Sequence, residues 1–128
     1  IRTYTSEETS NILLGQTGFI VIPASKKLII EDGSPYIADH AYPSSGSKTL
    51  ASNIRGDVTQ FPMIKVMQAG TIACKTIAGD GFSLTGAAPT SGTMSAIDVT
   101  VSLGDAYFGA FDEVWTGSAT IVFAYIGM

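Results

Sequence analysis

The chain has 128 residues, enough for one domain with a genuine core and no second unit. Its 11 acids against 7 bases, a net charge of -4, leave no basic footprint for phosphate backbones, so nucleic-acid binding and docking on anionic membrane are both disfavoured. Only 14% of residues are charged while 45% are hydrophobic, which protects a lone copy poorly against association and leads us to expect an oligomer or a bound subunit. The longest apolar runs, Phe19 to Ile22 and Ile121 to Ile126, are far shorter than the ~18 residues of a membrane helix. The single Cys74 cannot form an intramolecular disulfide, which suits assembly in a reducing cytoplasm; it reads as a small buried hydrophobe.

Residues 1–12 are rich in Thr, Ser and Glu and read as an extended N-terminal arm or a first edge strand, with Ser6-Glu7-Glu8-Thr9 too short to trust as a helix start. After Gly15-Gln16-Thr17-Gly18 comes a strand, Phe19 to Ile22, closed by Pro23. Lys26 to Glu31 is the next strand, its two lysines placed to guard a sheet edge. Asp32-Gly33-Ser34-Pro35 is dense turn chemistry. From there to Phe61 no sustained pattern appears, so a long loop over about 33–61 is expected to form a contact surface, with a missed short strand as the duller alternative. Met63 to Gln68 and Thr71 to Ile77, joined by Ala69-Gly70, predict the clearest hairpin of the chain.

Ile97 to Leu103 alternates strictly, with Ile97, Val99, Val101 and Leu103 on one side, as a half-buried strand does. In Tyr107 to Trp115 the alternation breaks at Asp112-Glu113, and a bulge there would restore it by flipping the later side chains. The last strand, Ser118 to Tyr125, is apolar on both faces beyond Thr120 and must be covered twice, within a sandwich or by a neighbouring subunit. The fold class is therefore all-β: one antiparallel β-sandwich or jelly-roll-like barrel over 1–128.

Polar chemistry is sparse. The only histidine, His40, follows Asp39 directly, a poor position for a carboxylate that must orient its ring, and no Gly-x-Ser-x-Gly elbow is present. One Cys and one His cannot build an ordinary structural zinc site, and no stretch matches the calcium loop. Asp112 and Glu113 as strand neighbours point to opposite faces, which argues against an acid–base pair acting on a glycan. Tyr107, Phe108, Phe111 and Trp115 read as core rather than as a sugar-stacking platform. No catalytic residue, cofactor or metal is assigned, and the chain is expected not to be an enzyme.

The C-terminal quarter, Val99-Thr100-Val101-Ser102-Leu103-Gly104-Asp105-Ala106-Tyr107-Phe108-Gly109 running on to Gly117 through Tyr125, resembles the small virion proteins of tailed bacteriophages in its short Thr/Ser/Val strands, Gly-Asp turns and apolar final strand. The resemblance implies a structural accessory component of the virion, a capsid decoration protein or a tail or fibre module, assembled in the host cytoplasm and binding the major capsid protein or its own copies. A homo-oligomer, with a trimer favoured, is expected. The expected interface comprises Ile1, Tyr4 and Ile12 of the arm, Tyr36 and Tyr42 of the long loop, and Val122 and Ile126 of the last strand. The alternative is a receptor- or glycan-binding module of a fibre or spike that uses Tyr36, His40, Tyr42 or Trp115; a small β-barrel enzyme is disfavoured.

Overall fold

The computed structural model describes residues 3–13, 18–40, 42, 46–51, 57–77, 81–82 and 99–127. Among the described residues one short helix, α1 (Ser6–Leu13), precedes ten strands: β1 (Phe19–Ile22), β2 (Lys27–Glu31), β3 (Ser34–Ala38), β4 (Lys48–Leu50), β5 (Gln60–Gln68), β6 (Gly70–Thr76), β7 (Gly81–Phe82), β8 (Val99–Val101), β9 (Ala106–Thr116) and β10 (Ile121–Gly127). The strands join in a single antiparallel sheet that curls into a half-barrel, as the all-β expectation requires. Its main path runs β1-β10-β5-β9-β2-β3-β4, with β6 branching from β9 and carrying β7 and β8.

β9 organises this sheet. Trp115 pairs with Lys27 on one edge and Ala73 on the other, and Phe111 pairs with Phe61 and Thr76. Thus β5 and then β2 share one edge of β9 while β6 takes the opposite edge. Val66 bonds to Asp105 and Ile72 pairs with Thr116. Six residues reach at most about 22 Å, and two cross-strand steps add about 10 Å. A straight β9 would separate its ends by about 36 Å, so the strand has to bend.

The bend lies where the alternation breaks. Register slips by one residue between Lys75↔Glu113 and Thr76↔Phe111. Before the slip Phe111 lies in the core with Tyr107 packed against it; after it Val114 does, two positions of opposite parity. The bulge at Asp112-Glu113 is therefore present and flips the later side chains as expected. β5 has its own irregularity: Gly127 pairs with Gln60 but Tyr125 with Met63, which accommodates Pro62, a residue without a ladder donor, inside a strand. The main core among the described residues is a cluster from seven strands and Val58, including Ile22, Leu28, Phe61, Ile64, Ile72, Val114, Val122 and Ile126, all at most 1% exposed, with Ala73 and Trp115 buried separately.

Four expectations are corrected. The region 3–13 holds a helix, not an extended arm: the Thr5 hydroxyl accepts the Glu8 amide at 3.2 Å while the Thr5 amide donates to the Glu8 carboxylate at 3.0 Å, a reciprocal capping box. The region 33–61 is not one long loop, because β3 and β4 lie within it. β2 and β3 form a hairpin closed by Asp32-Gly33, whose φ values of 52° and 73° are those of a type I′ turn. β5 and β6 do not pair with one another; the chain turns a corner at Ala69, and each strand pairs separately with β9. Gly70 is needed there because a Cβ would lie 2.0 Å from the Thr120 hydroxyl, which itself accepts the Thr71 amide at 2.7 Å. Finally, β2 is no edge: it lies between β3 and β9, and Lys27 is buried.

Candidate interaction surfaces

The side of the sheet facing away from the main core has two regions of different chemistry. Over β1, β10, β5 and β9 the register aligns Phe19, Tyr125, Met63 and Phe108 in one row, and Val21, Phe123, Lys65 and Ala106 in the next. Phe19 is 47% exposed, Val21 48% and Phe108 65%, an unusual amount of large apolar surface for one side of a sheet. The Phe19 ring stacks on Phe123 with centroids 4.8 Å apart and tilts against Tyr125 at 5.7 Å. Such pairs hold the rings in place and leave their outer sides to solvent. Among the described residues β1 has a single strand partner, β10, so it is a sheet edge, and none of its four residues is charged. The opposite edge, β4, contains Lys48.

Over β4, β3, β2, β9 and β6 the same side is polar and aromatic. One row reads Lys48, Ala38, Lys27, Trp115, Ala73, and the next reads Leu50, Tyr36, Ile29, Glu113, Lys75. Ala38 and Ala73 leave room for the long side chains beside them. The Lys27 ammonium donates to the Tyr42 carbonyl and lies 5.5 Å from the Trp115 ring centre and 5.8 Å from that of Tyr42. Burial lowers its pKa, against the opposing pull of Glu113 and Glu31. Trp115 is fully buried, and its Nε1 finds no acceptor among the described residues. Lys48 lies 4.4 Å from the Tyr36 ring centre and 5.6 Å from that of Tyr42, and donates to Glu31 at 2.7 Å. The Tyr42 hydroxyl donates to the same carboxylate at 3.0 Å. Hydrogen bonds from Lys48 and then Tyr42 hold Glu31 below the usual carboxylate range, and the same pairing raises Lys48.

At the bulge both acids face Lys75. Its ammonium lies 2.9 Å from each Asp112 oxygen, and Glu113 is its register partner. The rule that strand neighbours point apart fails here, because one residue is extra. Burial pushes the Glu113 carboxyl up, partly offset by Lys75 and Lys27. His40 is buried with Nε2 3.0 Å from the Lys26 carbonyl, and burial lowers its pKa, so the ring is neutral at pH 7. Cys74 is enclosed completely, which raises its thiol pKa well above the ordinary value.

The expected interface residues scatter across this structure. Ile1 lies outside the described residues. Tyr4 is half-buried and accepts a hydrogen bond from Gln60 at 3.2 Å, and Ile12 is buried on α1. Tyr36 and Tyr42 do come together, around Lys48. Val122 and Ile126 are fully buried by the chain's own sheet and offer nothing to a neighbour. The solvent side of β10 belongs to the other parity, Ile121, Phe123 and Tyr125, each half-buried. Phe19, Val21 and Phe108 were missed, although the two apolar faces of the last strand already signalled an uncovered surface.

Comparison with protein-family models, with curated proteins and with solved structures gives no match. Among the described residues no group of three or more His, Cys, Asp or Glu side chains could hold a metal ion, and no helix is long and apolar enough to cross a membrane.

Proposed function

We propose that this chain is a non-catalytic structural protein that works by docking the solvent side of β1 and β10 against copies of itself or against the major capsid protein of a tailed-phage particle. One observation carries this reading: the exposed Phe19, on an edge strand without a charge, clustered with the half-buried Phe123 and Tyr125 of the adjacent β10. Covering such a surface removes apolar area from water at roughly 25 cal/mol per Å². An unpaired strand edge beside it can add main-chain hydrogen bonds to the same contact. Copies that bind only the assembled lattice would stabilise it by mass action. The virion setting rests on the resemblance of the C-terminal quarter.

A glycan-binding role draws less support, since Trp115 has no exposed ring face and Tyr36 and Tyr42 are engaged with Lys48. Copy number in purified particles tests the proposal. Many copies per particle, lost when Phe19→Ser and Phe123→Ser are combined, are expected; a few copies at a fibre tip, unaffected by the double substitution, would overturn it.

A further inference from the structure

Tyr36, Tyr42 and Glu31 surround the head of Lys48 in the way a receptor surrounds a cationic ligand. The ammonium faces two rings, both within the ~6 Å over which a cation and a π face attract, and it meets a carboxylate at hydrogen-bond distance. That carboxylate is oriented by a donor from one of the same rings. We propose that Tyr36, Tyr42 and Glu31 form a binding site for a primary alkylammonium group, which the chain's own Lys48 keeps filled.

Three features favour an exchangeable occupant over a locked structural ion pair. Lys48 comes from β4, a three-residue edge strand whose Lys48 and Thr49 are exposed. The Lys48 and Glu31 side chains each remain one-third exposed, so the ammonium can leave into water without disturbing the fold. The walls are held by other contacts: Tyr36 lies within β3, and the Tyr42 carbonyl is bonded by the buried Lys27. The 2.7 Å contact to Glu31 requires an N–H donor, which selects a primary ammonium over a quaternary one. Lys27, on the Tyr42 ring as well, opposes a second cation, so a ligand enters only as Lys48 departs. The inference does not depend on the assembly reading, because this site lies over β2, β3 and β4, away from β1 and β10.

The test is an NMR titration of the Lys48→Ala variant with n-butylammonium chloride, against sodium chloride at matched ionic strength. We expect saturable shifts of the Tyr36 and Tyr42 ring resonances in the millimolar range, about tenfold weaker in the wild type and in Lys48→Ala combined with Glu31→Gln. A folded Lys48→Ala chain without saturable shifts, or equal binding after Glu31→Gln, overturns the proposal. Should Lys48→Ala fail to fold, the wild type is titrated instead: displacement moves the Lys48 ε-methylene signals towards their solvent-exposed positions, and signals that stay fixed up to high butylammonium overturn it equally.

Discussion

His40 and Glu113 are both held away from their ordinary pKa values by burial, and their effects on stability run in opposite directions. His40 is lowered from 6.5, so the unfolded chain takes up a proton before the folded one does. Its contribution is complete above about pH 6.5 and is lost as the pH falls towards the lowered folded value. Lys26, Lys27 and Asp39 are the charged groups that interact with the ring, and the two lysines add to the cost of protonating it. Urea midpoints measured from pH 7 down to pH 5 should fall in the wild type and fall less in His40→Gln. Glu113 is raised from 4.5, so the folded chain favours the neutral acid, and that stability is lost as the pH climbs through the raised value. Glu113→Gln should therefore be more stable than the wild type at pH 7 and no more stable at pH 4, as read by the same midpoints.

Among the elements, β9 and the corner at Gly70 carry the most geometric constraint. Asp112→Ala removes a partly exposed ion pair with Lys75 and should cost no more than about 1 kcal/mol in chemical denaturation. Deleting Asp112 is a different perturbation, because it removes the extra residue and leaves Phe111, Glu113 and Val114 in regular register with Thr76, Lys75 and Cys74, keeping Val114 in the core but removing the bend. That variant should still unfold cooperatively, at a lower urea midpoint, whereas one residue inserted between Glu113 and Val114 should turn Val114 out of the core and abolish the transition. Gly70→Ala should cost about 1–3 kcal/mol, since its methyl group would overlap the Thr120 hydroxyl and nearby backbone would have to move. Thr5→Ala should cost about 1 kcal/mol of helix stability, seen as faster hydrogen exchange at the α1 amides.

The bulge was legible because it interrupts a strict alternation, and a period-2 pattern shows a one-residue error at once. The β2–β3 turn was legible from Asp32-Gly33, yet the strand after it was hidden by Pro35 and by its short length. The β5–β6 hairpin was a false reading: Ala69-Gly70 has the composition of a turn, but Gly70 is required by Thr120, a residue 50 positions away. The capping box of α1 was written in Thr5 and Glu8, but an eight-residue helix is marginal alone and is held by packing against β10. Lys27 looked like an edge guard because only its tertiary neighbours, Tyr42 and Trp115, let a lysine lie in the middle of a sheet.

For the whole molecule, the two ends of the main sheet path differ in how they are protected. β4 is short and carries Lys48, whose ammonium lies back over Tyr36, Tyr42 and Glu31, a charge at this end of the sheet that opposes edge-to-edge pairing. β1 has no such residue, and its exposed side continues into an aromatic stack across β10. A sheet with one guarded and one bare edge is suited to contact at the bare one. The expectation of an under-covered last strand names Val122 and Ile126, the parity that the core consumes, whereas Phe123 and Tyr125 of the other parity are half-buried. The most direct measurement is sedimentation equilibrium of the wild type and of the Phe19→Ser, Phe123→Ser double variant over a wide concentration range. The wild type should associate with rising concentration while the double variant stays monomeric with an unchanged circular dichroism spectrum; a wild type that remains monomeric at the highest concentration would contradict a docking role for β1 and β10.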